Sequence, residues 1–241
     1  MAKPIVPHRF FRPFSGFLLE ILSIFLGITI SFLFDEWRTG QQQKQEKAEL
    51  VRSFISDFNS RKQRIESDNK DSQEWIANLD TIRLMRVSKT IPPSVLIWFY
   101  KVITHQVLFA FDPGSPTYTS ASTTGMWTNL PDSIRSRIYY LYEVRFQYCR
   151  KAYEDQEQII SGFRSAAIHS ASVELPLAET GNLQPDLKKL SQEISTASCG
   201  DLIDQMLIQE NICLKQNNIT IANLDKLTSY LKRYLSALEI H

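Results

Sequence analysis

The chain is poor in cysteine and glycine and almost without net charge, and each shortage excludes a class of protein. Its three cysteines, Cys149, Cys199 and Cys213, show no paired spacing, which excludes a disulfide framework and a CxxC metal knuckle. Eight glycines in 241 residues exclude a collagen, and 43% hydrophobic residues exclude a disordered tail. A net charge of +1 argues against nucleic-acid binding through bulk electrostatics. We expect three reduced, partly buried thiols.

Short catalytic motifs are also missing from the sequence. It contains no P-loop, Rossmann, zincin, serine-hydrolase or protein-kinase pattern. We therefore expect no cofactor and no metal site, and the sequence alone names neither a reaction nor a substrate.

One long hydrophobic run lies near the N-terminus. Residues 14–34 read FSGFLLEILSIFLGITISFLF and contain a single charged side chain, Glu20. A helix of that length covers roughly 30 Å, the thickness of a hydrocarbon core. The run ends in aromatic and charged residues without a small-residue cleavage site, which argues against a signal peptide. We predict a single transmembrane anchor over 14–37 after a basic tail, 1–13, with a buried core helix as the alternative.

Small and polar residues recur on one face of this predicted anchor, at steps of three and four. Small residues allow membrane helices to approach closely, and polar side chains in lipid find partners only on another protein surface. An ionisable group inside the span costs about 2.5–3.5 kcal/mol unless it is paired, protonated or hydrated. Glu20 therefore either faces a neighbouring helix or pore, or reaches toward an interface. The predicted packing face comprises Gly16, Glu20, Ser23, Gly27 and Ser31.

The next segment predicts a long amphipathic helix over 41–88. It contains neither Pro nor Gly, and its heptad of apolar residues is interrupted by Arg61, Asp68 and Ser72. We expect this helix to have a solvated middle and to pack on the rest of the protein at both ends. Gly40 is the predicted position of a bend between anchor and helix.

The remaining chain also predicts helices, separated by turn clusters that contain Pro and Gly. No stretch alternates as a strand with a turn partner. The predicted fold class is all-α, with a transmembrane helix, the long amphipathic helix, a helical bundle core over 94–171 and C-terminal helices over 186–239. Its predicted segments are a helix over 95–111, a short helix and loop in 117–130, a long helix from 131 to about 171, a loop over 173–185, and helices at about 186–196, 200–215 and 218–239.

Two segments resemble a family of uncharacterised bacterial single-span proteins that is common in Bacteroidota. The first is FLLEILSIFLGITISFLFDEWRTGQQQKQEKAEL, which is similar to an anchor of the form FLLEFLSIFLGI followed by an acidic-Trp-Arg boundary and a charged helix. The second is SPTYTSASTTGMWTNLPDSIRSRIYYLYE, which resembles that family's Thr-Tyr turn, Gly-containing loop and Leu-rich helix with a Tyr pair. The resemblance covers roughly residues 14–165 and implies topology alone, because the family has no assigned activity.

One spacing points to chemistry. Arg164 and His169 have the Arg-x4-His spacing of helical ribonucleases in the HEPN superfamily. That resemblance implies a His acid or base and an Arg phosphate clamp. A solvated helix end is the alternative, because this spacing also arises by chance in a chain with this many Arg and His residues.

Two functions follow from these observations. The favoured one is a membrane-anchored helical interaction or oligomerisation module without enzymatic activity, whose partners are lipid, further copies of itself or a second membrane protein. The alternative is a membrane-associated effector, for instance of antiviral defence, that cuts RNA or permeabilises the membrane. Nucleic acid is a partner only in the ribonuclease case. Basic residues on the two sides of the span are nearly equal in number, so the unpaired cysteines alone favour an inner-membrane protein with a cytoplasmic C-terminal domain.

Overall fold

A computed structural model describes residues 12–88, 90–104, 111–112, 114–169 and 187–240. Every secondary-structure element in these ranges is helical and none is a strand, which confirms the all-α fold class. The chain divides into two compact units, Met1–Glu49 and Leu50–His241. The α-helices are α1 (Arg12–Met85), α2 (Pro93–Thr104), α3 (Pro116–Thr123), α4 (Asp132–Tyr139), α5 (Phe146–His169), α6 (Leu187–Ile194) and α7 (Ala197–Ile240).

The described part of the first unit is helical throughout and belongs to α1. Its apolar stretch begins at Leu18 and is long and apolar enough to cross a membrane, and no part of the most apolar window is buried against protein. Helical structure continues through Gly40, where the sequence predicted a bend. A single Gly costs a helix only about 1 kcal/mol relative to Ala, and the strong helix formers that follow it outweigh this cost.

In the second unit α1 and α7 run antiparallel. Arg52 Nη2 lies 2.6 Å from Glu239 Oε1, and Asn69 Nδ2 donates to Asn218 Oδ1 at 3.0 Å. Rising residue numbers on α1 thus pair with falling numbers on α7. Helix α5 also packs along α7, so that these three helices form the frame of the bundle.

The core of the second unit contains two large apolar clusters and a small one of Ala152, Tyr153 and Cys213. The first cluster joins α1, α4, α5 and α7 around Phe54 and Phe58, whose side chains are fully buried. The second cluster joins the later part of α1 to α2, α6 and the start of α7 around Leu79 and Phe99. Each such side chain contributes about 1.5–3 kcal/mol through burial, so the two clusters dominate the stability of this unit.

A capped turn connects α2 to α4. Ser115 is the N-cap of α3, where its Oγ accepts a hydrogen bond from the Tyr118 amide at 3.1 Å, and Pro116 occupies the first turn. A 3-10 turn over Met126–Asn129 then follows Gly125, whose φ of 74° favours glycine. The short helix and loop predicted for 117–130 are confirmed.

The structure differs from the predicted segments in two places. The helices predicted at 200–215 and 218–239 form one helix, α7. The helix predicted from 131 to about 171 is present but contains a π-helical segment, Tyr140–Arg145, between α4 and α5. The helix predicted over 95–111 is described as α2 up to Thr104, and the loop predicted over 173–185 lies outside the described residues.

Candidate functional sites

The predicted packing face lies on one side of α1 in the first unit. A Cβ added at Gly27 would meet no atom within 4 Å, so the backbone is open to a close neighbour. Ser23 Oγ donates to the Glu20 carbonyl at 2.8 Å, and Ser31 Oγ donates to the Gly27 carbonyl at 2.9 Å. Because both hydroxyls are satisfied within the helix, the face presents small side chains without an unpaired donor. Gly16 continues it at the start of the helix.

A shallow groove of about 370 Å³ follows this face. Gly27 and Ser31 line it with Ile24, Ile28 and Phe32. Asp35 marks the end of the apolar run and also lines the groove. A second helix with small or β-branched residues has the shape to fill such a groove.

Glu20 lies on the same face and its side chain is exposed. Within the ranges that the structure describes, no side chain bonds its carboxylate. In lipid a carboxylate in this position gains a partner only from another protein surface or from the interface. The face therefore combines a close-approach surface with one group that needs a partner.

The second unit contains a buried polar layer between its two large apolar clusters. Along α1 the layer lies between Ile65 of the first cluster and Trp75 of the second, and along α7 between Leu207 and Leu224. Helix α5 contributes the third side. The buried polar layer comprises Asn69, Ser72, Tyr153, Gln156, Gln209, Glu210, Asn217 and Thr220.

The prediction that the middle of the long amphipathic helix is solvated is wrong. Ser72 is only 2% exposed, and Asp68 is half-buried. Arg61 is half-buried as well. It donates to the backbone carbonyls of Asp112, at 2.5 Å, and of Gly114. Its guanidinium lies 4.8 Å from the centre of the Phe146 ring. Polar groups such as Ser72 and Arg61 interrupt the apolar heptad of α1 because other segments of the protein, and not water, supply their hydrogen-bond partners.

Asn217 is the centre of one network in the buried polar layer. Its Nδ2 donates to Asn69 Oδ1 at 2.9 Å and to the Tyr153 hydroxyl at 2.7 Å, so that it joins α7 to both α1 and α5. The residue is completely buried. Burial raises the pKa of Tyr153 well above its usual value, so the phenol stays neutral at physiological pH.

Glu210 is the buried acid of the layer, with 1% of its surface exposed. Gln156 Nε2 donates to its carboxylate, and Ser72 supplies a second hydrogen bond. Burial raises the pKa of Glu210 to about 7, although both hydrogen bonds favour the charged form. Among the described residues no group of three His, Cys, Asp or Glu side chains could hold a metal ion.

The three cysteines are free and are buried more completely than the sequence predicted. Burial raises the pKa of Cys213 to about 12 and raises the pKa of Cys149 and Cys199 as well. Thiols in such surroundings stay protonated and are poor nucleophiles.

The π-helical segment directs two side chains with polar groups, Tyr142 and Arg145, into the interior. Tyr142 donates to the Asp57 carboxylate, which also accepts a hydrogen bond from Ser115 Oγ at 2.6 Å. Arg145 is 7% exposed and its Nη2 donates to Gln216 Oε1 at 2.9 Å. A π turn leaves no local sequence signature, so only a polar residue inside an apolar helical pattern could have indicated it.

Arg164 has a partner that bears on the ribonuclease hypothesis. Its Nε donates to the Ile103 carbonyl at 2.7 Å, near the end of α2, where carbonyls lack partners within their own helix. His169 is the last residue of α5, and its side chain lies outside the described residues. The structure thus gives the Arg164 guanidinium a helix-capping contact, and the pairing with His169 stays a prediction.

The resemblance to a single-span bacterial family likewise stays a prediction. No family model, curated protein or solved structure matches this chain.

Proposed function

We propose that this protein is a membrane-anchored helical module that self-associates through the packing face of α1 and holds a partner with the helical bundle of its second unit. Its proposed location is the bacterial inner membrane, with the second unit in the cytoplasm. The observation that carries the proposal is the long apolar stretch of α1, none of whose most apolar window is buried against protein.

The exposed side chains of this stretch are too large and too numerous for a helix in water. Phe25 and Phe32 are 66% and 72% exposed, and the Leu and Ile residues around them are similarly open. Hydration of apolar surface costs about 25 cal/mol per Å², so a helix of this kind is stable only when lipid or another apolar surface covers it. Lipid is the partner that covers every side at once.

Self-association follows from the difference between the two sides of the helix. On one side Gly27 and the internally bonded Ser23 and Ser31 allow a second backbone to approach closely. On the same side Glu20 gains a partner when two helices meet. The opposite side carries larger apolar residues that suit lipid chains.

A binding role for the second unit is favoured because its thiols and Arg164 take part in packing and hydrogen bonding within the protein. The thiols are buried with raised pKa, and Arg164 bonds a backbone carbonyl. The polar side chains of its interior hold helices together, as Asn217 does. This pattern is typical of a structural module that presents a surface.

The test is the oligomeric state of the full-length protein in mild detergent, measured by light scattering after size exclusion. Gly27→Leu places a large side chain at the centre of the packing face and is expected to shift the oligomer to monomer. Thr29→Leu is the matched control, because position 29 lies about 200° around the helix from position 27. We expect this control to keep the wild-type mass.

A monomeric wild type would contradict self-association, as would equal dissociation of both variants. A third outcome is a wild-type complex with a different membrane protein that Gly27→Leu alone abolishes. That result would support the packing face as an interface, with the other protein in place of a second copy.

A further inference from the structure

A basic groove lies on the surface of the second unit between α4 and α7. Its volume is about 550 Å³, and it adjoins a smaller pocket of about 200 Å³ that shares Arg137 and Lys226 with it. The smaller pocket extends toward Tyr140 and Asn223. The basic groove is lined by Arg137, Asp225, Lys226, Ser229, Tyr230 and Arg233.

The three cations of this groove are not neutralised by the protein. Within the described residues no carboxylate forms an ion pair with Arg137, Lys226 or Arg233. The sequence explains this, because no Asp or Glu stands three or four positions before or after any of them. Asp225, the one carboxylate in the lining, accepts from Lys62 Nζ at 2.7 Å.

Some other surface cations of the same unit are paired within their own helices. Arg135 pairs with Asp132, and Lys151 lies 2.6 Å from Asp155. The basic groove therefore brings three unpaired cations together, and like charges repel one another there unless an anion joins them.

Tyr230 holds the two guanidinium groups in place. The guanidinium carbon of Arg137 lies 5.1 Å from the centre of the Tyr230 ring, and that of Arg233 lies 5.9 Å from the same point. The Tyr230 hydroxyl is in turn 3.2 Å from Ser133 Oγ, which fixes the ring on α4. A guanidinium held by an aromatic ring keeps its N–H edges free to bind an anion, and the contact reduces the entropy lost on binding.

We propose that the basic groove binds a phosphate-bearing anion with at least two negative charges. Two Arg forks bind phosphate oxygens bidentately, and Lys226 adds a third positive charge within the same lining. The phosphate comes either from a soluble phosphate ester or polyphosphate, or from an anionic lipid headgroup. This binding does not depend on association through α1.

The probe is sodium tripolyphosphate, and the measurement is its affinity for the full-length protein in a neutral detergent by calorimetry at constant ionic strength. We expect saturable binding that Arg137→Gln/Arg233→Gln weakens by about tenfold or more. The matched control is Arg150→Gln/Lys151→Gln, which removes the same charge from α5, where both side chains are paired. We expect the control to bind as the wild type does.

A third variant separates geometry from charge. Arg137→Lys/Arg233→Lys keeps both positive charges but removes the bidentate forks, so it is expected to bind less tightly than the wild type and more tightly than the Gln variant. Equal affinity of the Lys and wild-type proteins would overturn the role of the forks. Absence of saturable binding, or equal weakening by the α5 control, would overturn the site.

Mixed micelles identify the source of the phosphate. Displacement of tripolyphosphate by phosphatidylglycerol micelles, but not by phosphatidylcholine micelles, assigns the groove to a lipid headgroup. Retention of tripolyphosphate in both assigns it to a soluble phosphate. Either result supports the site, and the mass of the oligomer in the same samples reports on α1 separately.

Discussion

Glu210 makes the stability of the second unit depend on pH. Its pKa is raised by burial to about 7 in the folded protein, from an ordinary value near 4.5. The folded state therefore holds a proton over a pH range in which the unfolded chain has lost it. The corresponding stabilisation is complete below about pH 4.5 and is lost as the pH rises through 7, with a total of about 3 kcal/mol.

Glu210→Gln tests this dependence, because an amide has nearly the volume of the protonated acid and carries no charge. We expect denaturant unfolding to show that the variant loses the fall in stability between pH 5 and pH 8 that the wild type shows. At pH 8 the variant should be more stable by about 1–3 kcal/mol. Glu154→Gln, at an exposed ion pair with Arg150 on α5, is the control and should keep the wild-type slope.

The groups that face Glu210 do not titrate in this range. Cys213 on its own helix has a pKa of about 12, and the pKa of Tyr153 on α5 is raised well above its usual value. A slope that survives in Glu210→Gln would assign the pH dependence to other carboxylates.

At the scale of elements, α7 continues without interruption through Asn217 and Asn218, where the sequence predicted a break. A polar pair between apolar stripes usually favours a turn, because short amide side chains bond the backbone in non-helical conformations. Here Asn217 bonds Asn69 and Tyr153 on two other helices. Those partners lie far away in sequence, so only the folded bundle reveals why the helix continues.

Asn217→Ala tests how much the buried polar layer contributes to the bundle. The substitution leaves the amide oxygen of Asn69 and the hydroxyl of Tyr153 without their donor inside the protein. We expect a loss of about 2–3 kcal/mol in the free energy of unfolding. Asn223→Ala is the comparison, because Asn223 Nδ2 donates only within its own helix, to Ile219 O, and this change should cost less than about 0.5 kcal/mol. Equal losses would argue against the network.

The same elements show what the sequence could predict. The start of α2 at Pro93 and the capped turn at Ser115 follow from local chemistry, which can be read directly from the sequence. Buried Ser72 and the inward Arg145 depend on partners from other helices, and their polar character predicts solvent exposure instead. The packing face of α1 was predicted from spacing alone, and the basic groove was not, because its cations come from two helices.

At the scale of the whole molecule, the two units meet different physical demands. The first unit exposes an apolar stretch that is long enough to cross a membrane, while the second unit buries its two large apolar clusters within the protein. Because α1, α5 and α7 contribute to both clusters and to the layer between them, the second unit is expected to unfold as one cooperative structure.

The cytoplasmic location that we propose for the bundle rests on its three thiols, which are free and buried. Free thiols in a folded domain are typical of a reducing compartment. We therefore expect a reporter that works only in the cytoplasm to be active when it is fused after residue 241. A reporter that works only in the periplasm should be active when it is fused at residue 12. Retention of both fusions in the membrane pellet after alkaline washing is the control for integration. Periplasmic activity at residue 241 would place the bundle outside the cytoplasm and would exclude cytoplasmic phosphate compounds as ligands of the basic groove.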